Sequence, residues 1–372
     1  MATQTPPTDA ASLRATFDAA EPLTVGVEEE LMLLDPETLE LAPVASEVLA
    51  RLGGDPRFKP ELPASQLEIA LPPARSVPEL AEELAQARRD LAQAAEGLAV
   101  VAGAGLHPFA ASEGATTHGD RYERIVREYG SVARRQLVFA FQVHIAVGGA
   151  DRTLAVYNAL RGHLPELAAL AANAPFHEGR DTGFASFRPI VANMLPRQGM
   201  PPAIGSWEAW AEELDWGARS GRLPGASHWW YELRPHPAFG TLEVRVPDTQ
   251  ATVAQAAAVA AVAHALVARL VELPRDGMPS WRIEENRWVA ARHGLEGTFA
   301  DLRTGECVGV RTRLGSLLDE LDPYAASLGA GAELASARSL VEANGADRTR
   351  AAAAGDPRRA AEWLADRFLD GC

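Results

Sequence analysis

Five short runs of this chain alternate polar and apolar residues with a period of two, and in each the polar positions carry paired reactive side chains. From Thr24 to Leu33, Gly26, Glu28 and Glu30 share one face, and Val25, Val27, Leu31 and Leu33 share the other. From Gln66 to Leu71, Gln66 and Glu68 oppose Leu67, Ile69 and Leu71. Gln142 and His144 oppose Phe141, Val143, Ile145 and Val147; Glu243 and Arg245 oppose Leu242, Val244 and Val246. The run from Trp230 to Arg234 puts Glu232 beside Arg234. Such alternation predicts antiparallel strands with one face on a core and the other open. An ordinary solvated sheet face mixes Lys, Thr, Ser and Arg, whereas this one is mostly Glu and Gln with one His and paired Arg. Glu29 falls on the apolar side, so it is expected to be structural or paired with an arginine.

Electrostatics narrows the reading. If Glu28, Glu30, Glu68 and Glu243 lie on neighbouring strands, each pair at ~5 Å and an effective dielectric of ~20 repels by roughly 3 kcal/mol. Several such pairs rival the stability of a whole domain, on the order of 5–15 kcal/mol. The cluster therefore needs bound cations or shifted pKa values. Carboxylate oxygens with few nitrogens and no thiolates select Mg²⁺ or Mn²⁺ over zinc. Mg²⁺ on an enzyme usually also holds substrate phosphates, which Arg245 and Arg234 would meet through a planar fork. The residues alone thus point to a metal–nucleotide site on an open antiparallel sheet.

Composition removes other classes. Fifty acidic against 35 basic residues give a net charge of −15, which argues against a general nucleic-acid binder. Lys59 is the only lysine, so there is no phosphate-binding loop ending in Gly-Lys-Ser/Thr, nor a Schiff-base lysine elsewhere. The two cysteines, Cys307 and Cys372, make no disulfide framework or zinc cluster. No Ser-His-Asp or Cys-His spacing stands out. The most apolar run, Ala251 to Val271, is interrupted by His264 and Arg269 and predicts a buried helix rather than a membrane span. With no signal-peptide pattern, a soluble cytoplasmic protein without membrane attachment is expected.

Residues 1–22 predict a mobile tail carrying at most one short helix, and residues 23–372 a single domain. Helical spacing predicts helices from Ser76 to Ala102, over 152–172 with a bend at Pro165, over 250–272, and in several pieces from about Leu314. His107 to Arg121 and Pro175 to Trp207 predict long loops of the kind that often carry function.

Several motifs follow in order: Gly26-Val27-Glu28-Glu29-Glu30, the pair Glu61 and Glu68, Gly105-Leu106-His107-Pro108, Gln142-Val143-His144, Arg180-Asp181-Thr182-Gly183, and Pro196-Arg197-Gln198-Gly199. Arg234-Pro235, Phe239-Gly240-Thr241-Leu242-Glu243-Val244-Arg245 and Glu285-Asn286-Arg287-Trp288 complete the set. In this ordered set the chain resembles the glutamate–cysteine ligase type 2 family, in its carboxylate–amine ligase branch, from about Leu23 onward. The resemblance implies an α+β, glutamine-synthetase-like fold: a curved antiparallel sheet with helices on its outer face. It implies an ATP- and Mg²⁺-dependent enzyme, with Mn²⁺ as an alternative metal. The implied reaction phosphorylates a carboxylate, such as glutamate, and an amine, such as cysteine, then displaces phosphate to form an amide. Weak glutamate–cysteine ligase activity is expected. The family's metal positions fall on Glu28, Glu30, Glu61, Glu68, His144 and Glu243. Arg245 falls where the family contacts the transferring phosphoryl group. Arg234 is assigned beside it as catalytic, and Gln142 and Arg245 as nucleotide-binding. The loops holding Arg180, Asp181 and Arg197 are candidate substrate caps. Tyr231-Glu232 stand where the family has Trp-Asp. The expected partners are a small-molecule carboxylate and amine, and the candidate assembly is a homodimer. Two other classes stay open: a metal-dependent amide hydrolase, which would release no ADP, and a non-catalytic ligand-binding protein on the same fold.

Overall fold

The computed structural model describes residues 9–372, so the tail predicted for the first eight residues lies outside the described residues. At its centre the strands β1 (Val25–Leu34), β2 (Phe58–Pro60), β3 (Gln66–Ala70), β4 (Val100–Ala102) and β5 (Phe141–Ala146) join one sheet. Two short strands, β6 (Phe176–His177) and β7 (Arg180–Asp181), form a separate hairpin. β8 (Leu233–His236) and β9 (Thr241–Val244) complete the main sheet, and β10 (Thr298–Ala300) pairs with β11 (Cys307–Gly309) apart from it. The main sheet runs β2-β3-β1-β5-β9-β8, with β4 on the far end of β1, and every pairing is antiparallel. The alternating runs are therefore strands, and the fold is α+β as expected.

Helices cover the apolar face. Val27, Leu31 and Leu33 of β1 share one buried cluster with Leu80, Leu84 and Leu91 of the helix Val77–Ala95 and with much of the helix Val253–Glu272. The latter is long and apolar enough to cross a membrane, yet 94% of its most apolar stretch is buried inside the protein. Its two interruptions have partners: His264 Nε2 meets the Leu23 carbonyl at 2.9 Å, and Arg269 meets Glu320 at 2.7 Å. A Thr252–Gln255 capping box starts it.

Local chemistry moves several predicted boundaries. The helix starting at Ser76, whose hydroxyl accepts from Glu79 N, ends at Ala95 rather than Ala102. Gly97 turns the chain at φ +74°, and the β-branched Val100 and Val101 enter the sheet. The helix predicted over 152–172 is Ala150–Leu160, a 3₁₀ turn and Leu164–Leu170, with Pro165 in a first turn where no N–H is missed. The segment from Pro175 to Trp207 is not all loop, since it holds the β6–β7 hairpin and the short helix Arg188–Ala192.

The one short helix allowed for residues 1–22 is present, but it is docked on the protein rather than part of a mobile tail. Ala10–Ala19 is a helix capped by Asp9, and its Leu13 and Phe17 are fully buried. Phe17 stacks on Trp207 at 4.6 Å, and Asp18 accepts from Ala150 N at 2.7 Å. Burying two such side chains is worth roughly 1.5–3 kcal/mol each and anchors the helix on the protein. Gly240, at φ +68° in the β8–β9 turn, lets that helix approach: a Cβ there would lie 2.8 Å from the Thr16 carbonyl.

Candidate active site

Strand register gathers the predicted residues on the face opposite the helices. Glu30 lies across from Glu68, Glu28 from Gln142, Gly26 from His144, His144 from Glu243, and Glu243 from Arg234. Glu61 joins them from just beyond the end of β2, held by Thr117 on its carbonyl. Among the described residues, the one group able to close around a metal ion is Glu28, His144 and Glu243, whose donor atoms all lie within 4.8 Å of one another. His144 Nδ1 meets Thr241 Oγ1 at 3.0 Å, which fixes the ring. His144 Nε2 is buried with no hydrogen-bond partner and stands 3.7 Å from Glu28. A buried nitrogen with no hydrogen-bond partner beside a carboxylate makes His144 a candidate metal ligand. The donor set, oxygens with one imidazole, fits Mg²⁺ or Mn²⁺.

The arginines divide their work. Arg234 has its whole fork engaged: Nε and Nη2 donate to Glu243, and Nη1 donates to the Ser227 carbonyl at 2.9 Å. It is buried and braces Glu243 rather than reaching into open space. Arg245 donates through Nη1 to both Glu243 and Gln142, while its Nε and Nη2 donate to none of the described residues and the side chain lines an open cleft. Gln142 is committed at both ends, accepting from Arg245 and donating to Glu30 at 2.9 Å. It links the two halves of the cluster.

A cation of the chain that lies in none of the alternating runs also joins the carboxylates. Lys59 Nζ lies 3.2 Å from Glu68 and 3.5 Å from Glu28. β2 has three residues, too few for a period to reveal a face, so the only pointer in the sequence was that the chain's single lysine lies nine residues before Glu68. Arg188 was also missed. It donates to the Val246 and Pro247 carbonyls and to Asp248 at 2.6, 3.1 and 2.7 Å, holding the chain just after Arg245. Gly105 is part of the same brace, because a Cβ there would lie 2.6 Å from Asp248 Cγ.

The environments push the carboxyls apart. Burial raises Glu30 and Glu61 to about 7, with the Glu68 charge adding to the first and the Glu30 charge to the second. Burial, then the Glu28 and Glu61 charges, raise Glu68 to about 8. Burial also opposes ionisation of Glu28, but the His144 ring and the Lys59 ammonium outweigh it and hold Glu28 at about 2. For Glu243, burial is outweighed by Arg234 and Arg245, which keep it well below the usual carboxylate range. Glu28 and Glu243 are thus held ionised, while burial shifts Glu30, Glu61 and Glu68 toward their protonated forms.

Two clefts flank the cluster. One, about 1020 Å³, is lined by Glu28, His144 and Lys59, with Pro72, Pro73 and Phe239 among its apolar walls. The other, about 850 Å³, is lined by Glu30, Glu61, Gln66 and Arg245, with Arg121, Arg124 and Trp230 among its walls. Other predicted positions support rather than line. His107 is structural: its Nδ1 accepts from Phe109 and Ala110, and burial lowers it to about 4. Glu232 is buried against Arg287, tying the β8 approach to the helix Ser280–His293. Arg197 braces a wall, reaching Tyr129 and the His228 carbonyl and stacking over Trp230. Asp181 pairs with Arg350 and Arg180 with Glu178, and neither lines either cleft.

Known proteins give this arrangement a family. A protein of Rubrobacter xylanophilus provisionally named glutamate–cysteine ligase 2-3 is 39% identical over 95% of this chain and 99% of its own. One from Cupriavidus metallidurans provisionally named glutamate–cysteine ligase 2 is 34% identical over 96% and 97%. Among solved structures, the fold is shared with glutamate–cysteine ligase of Francisella tularensis in complex with AMP. That match has a TM-score of 0.72 at 13% identity, over 95% of this chain and 90% of that one. It is shared also with a bifunctional glutathione synthetase of Pasteurella multocida, at TM-score 0.67 and 15% identity, over 97% of this chain and 54% of that one. The model of glutamate–cysteine ligase family 2 matches residues 24–362. The chain belongs to glutamate–cysteine ligase family 2.

Proposed function

We propose that residues 23–372 form a ligase domain that couples ATP cleavage to amide formation between glutamate, or another amino acid, and an amine such as cysteine. One observation carries this reading: the Glu28–His144–Glu243 group sits in a carboxylate cluster with one cleft on its Glu28 and His144 side and a second on its Glu30, Glu61 and Arg245 side. The cleft with Pro72, Pro73 and Phe239 suits a nucleotide base, and the arginine-walled cleft suits a small anionic acid. Both substrates are small and soluble, so the proposal places the enzyme in the cytoplasm, away from membrane and nucleic acid.

A carboxylate is a poor electrophile toward an amine, so it must be activated. Its oxygen attacks the γ-phosphorus of ATP, ADP leaves, and the acyl phosphate that results is attacked by the amine with loss of phosphate. Glu28, His144 and Glu243 would hold a divalent ion, and Glu30, Glu61 and Glu68 would supply further metal-binding oxygens beside it. Mg²⁺ or Mn²⁺ bound there supplies positive charge against phosphate oxygens. The chain's own contribution is positional. Arg234 keeps Glu243 ionised, Gln142 sets the spacing of Glu30 and Arg245, and Arg245 offers its free N–H groups to charge that grows on the phosphoryl oxygens.

The test is a screen of amino acids and amines for ADP release with mass detection of the product, beside a thermal-shift series with ATP. ADP release that depends on both substrates, and an ATP shift that needs Mg²⁺, are expected. Amide cleavage without ADP, or an equal ATP shift without metal, overturns the proposal.

A further inference from the structure

Lys59 is the only lysine in 372 residues, and it stands inside the carboxylate cluster. Pairing of β2 with β3 sets it directly across from Glu68. Its Nζ touches Glu68 and Glu28 together, at 3.2 and 3.5 Å. It therefore bridges a member of the His144 group to a member of the second carboxylate set. Unlike the buried Arg234, its side chain is 45% exposed, on the wall of the cleft beside Glu28 and His144. An ammonium on a four-carbon stem is a compact charge that can swing, whereas a guanidinium fork locked on a carboxylate cannot. Two cations within ~4 Å of each other repel strongly in a half-buried site, so a metal on Glu28 and this ammonium compete for the same oxygens.

We propose that Lys59 is a stand-in cation: it holds Glu28 and Glu68 together in the metal-free protein, yields them to a divalent metal, and turns to the polyphosphate of a nucleotide in the adjoining cleft. Only the last step rests on the ligase reading. The first two concern metal and protein alone.

The experiment uses the full chain and Mn²⁺ as the probe. Without nucleotide, Lys59→Met is expected to bind Mn²⁺ about tenfold more tightly or better, as removal of a neighbouring positive charge requires. Its metal-free melting temperature should fall, and Lys59→Arg should bind Mn²⁺ close to the unaltered protein. At saturating Mg²⁺, Lys59→Met should bind ATP several-fold more weakly. A second measurement needs no variant. An amine-directed acylating reagent, read by mass spectrometry of the Lys59 peptide, should react faster with Mn²⁺ present and slower once ATP is added. Mn²⁺ affinity that is unchanged or weaker in Lys59→Met, or Lys59 labelling indifferent to Mn²⁺, overturns the proposal. Failure to detect ADP with any substrate would sink the ligase reading instead, leaving these two results to judge Lys59.

Discussion

Arg88 and Glu29 form an ion pair with neither side chain open to solvent, on the face of the sheet opposite the metal-binding candidates. Two N–H groups of Arg88 donate to the carboxylate at 2.5 and 2.9 Å. The rest of the fork takes the Gln250, Ala251 and Phe368 carbonyls. Three successive glutamates of β1 therefore do two jobs. Glu28 and Glu30 face the clefts, and Glu29 ties the central strand to the Val77–Ala95 helix and the C-terminal segment.

Breaking that tie should cost stability without touching chemistry. Glu29→Leu leaves a buried guanidinium unpaired, and such losses run to about 3–5 kcal/mol. Urea unfolding should show a loss of that size, while ADP formation by the protein still folded at low temperature stays within a few-fold. A variant that unfolds normally but loses ADP formation would place Glu29 in the site instead.

The opposite pattern is expected one residue away. Glu28→Gln and Glu68→Gln should each abolish ADP formation. Glu68 is already pushed up to about 8, so its neutral glutamine analogue should leave the metal-free melting temperature unchanged or slightly raised. Glu28→Gln removes a partner of Lys59 but also a charge that Glu68 and Glu243 repel. A clear fall in melting temperature for both variants would give these residues a structural role.

How much of this was legible follows from what repeats in sequence. Glu28, Glu30, Glu68, His144 and Glu243 were found because each sits in a strand long enough to show alternation. Lys59 was not, because Phe58–Pro60 is too short to show any. The partner of Glu29 was unreadable, since Arg88 is one arginine among many and sits 59 residues away. The docked first helix was hidden because its apolar stripe is essentially Leu13 and Phe17, completed only by Trp207. The clefts were invisible for the same reason: their walls come from segments as distant as Pro72 and Phe239, or Glu61 and Arg245, and only pairing of strands brings them together.

The raised carboxyls predict a pH dependence. Glu30, Glu61 and Glu68 keep protons in the fold that the unfolded chain, near 4.5, has already lost. Their contribution to stability is complete below about pH 4.5 and is lost as pH rises through about 7 to 8. Glu28, held at about 2, acts below that window, and His107 and His236, lowered to about 4 from 6.5, contribute fully above about 6.5. Between pH 7 and 8.5 the metal-free melting temperature should therefore fall, and saturating Mg²⁺ should flatten the fall by ionising the same carboxyls. A metal-free curve that rises over this window would contradict the assigned burial of the three groups.

Arg245→Lys tests the chemical role most directly. Arg245 reaches Glu243 and Gln142 through one nitrogen, so the rest of its fork faces the arginine-walled cleft. Lysine keeps the charge and can replace the contact with Glu243, which Arg234 continues to hold through its own fork. The fold should therefore survive with little change in melting temperature. What lysine cannot do is grip two phosphoryl oxygens at once, a grip that tightens as charge moves in the transition state. We expect kcat to fall by roughly 10²-fold or more, the scale of losing one oriented donor, with KM for ATP changed only a few-fold. Equal losses in kcat and kcat/KM mark a contact made only in the transition state. Near-normal kcat with a much weaker ATP KM would make Arg245 a ground-state binding residue, and the phosphoryl contact would have to be sought among the other arginines of that cleft.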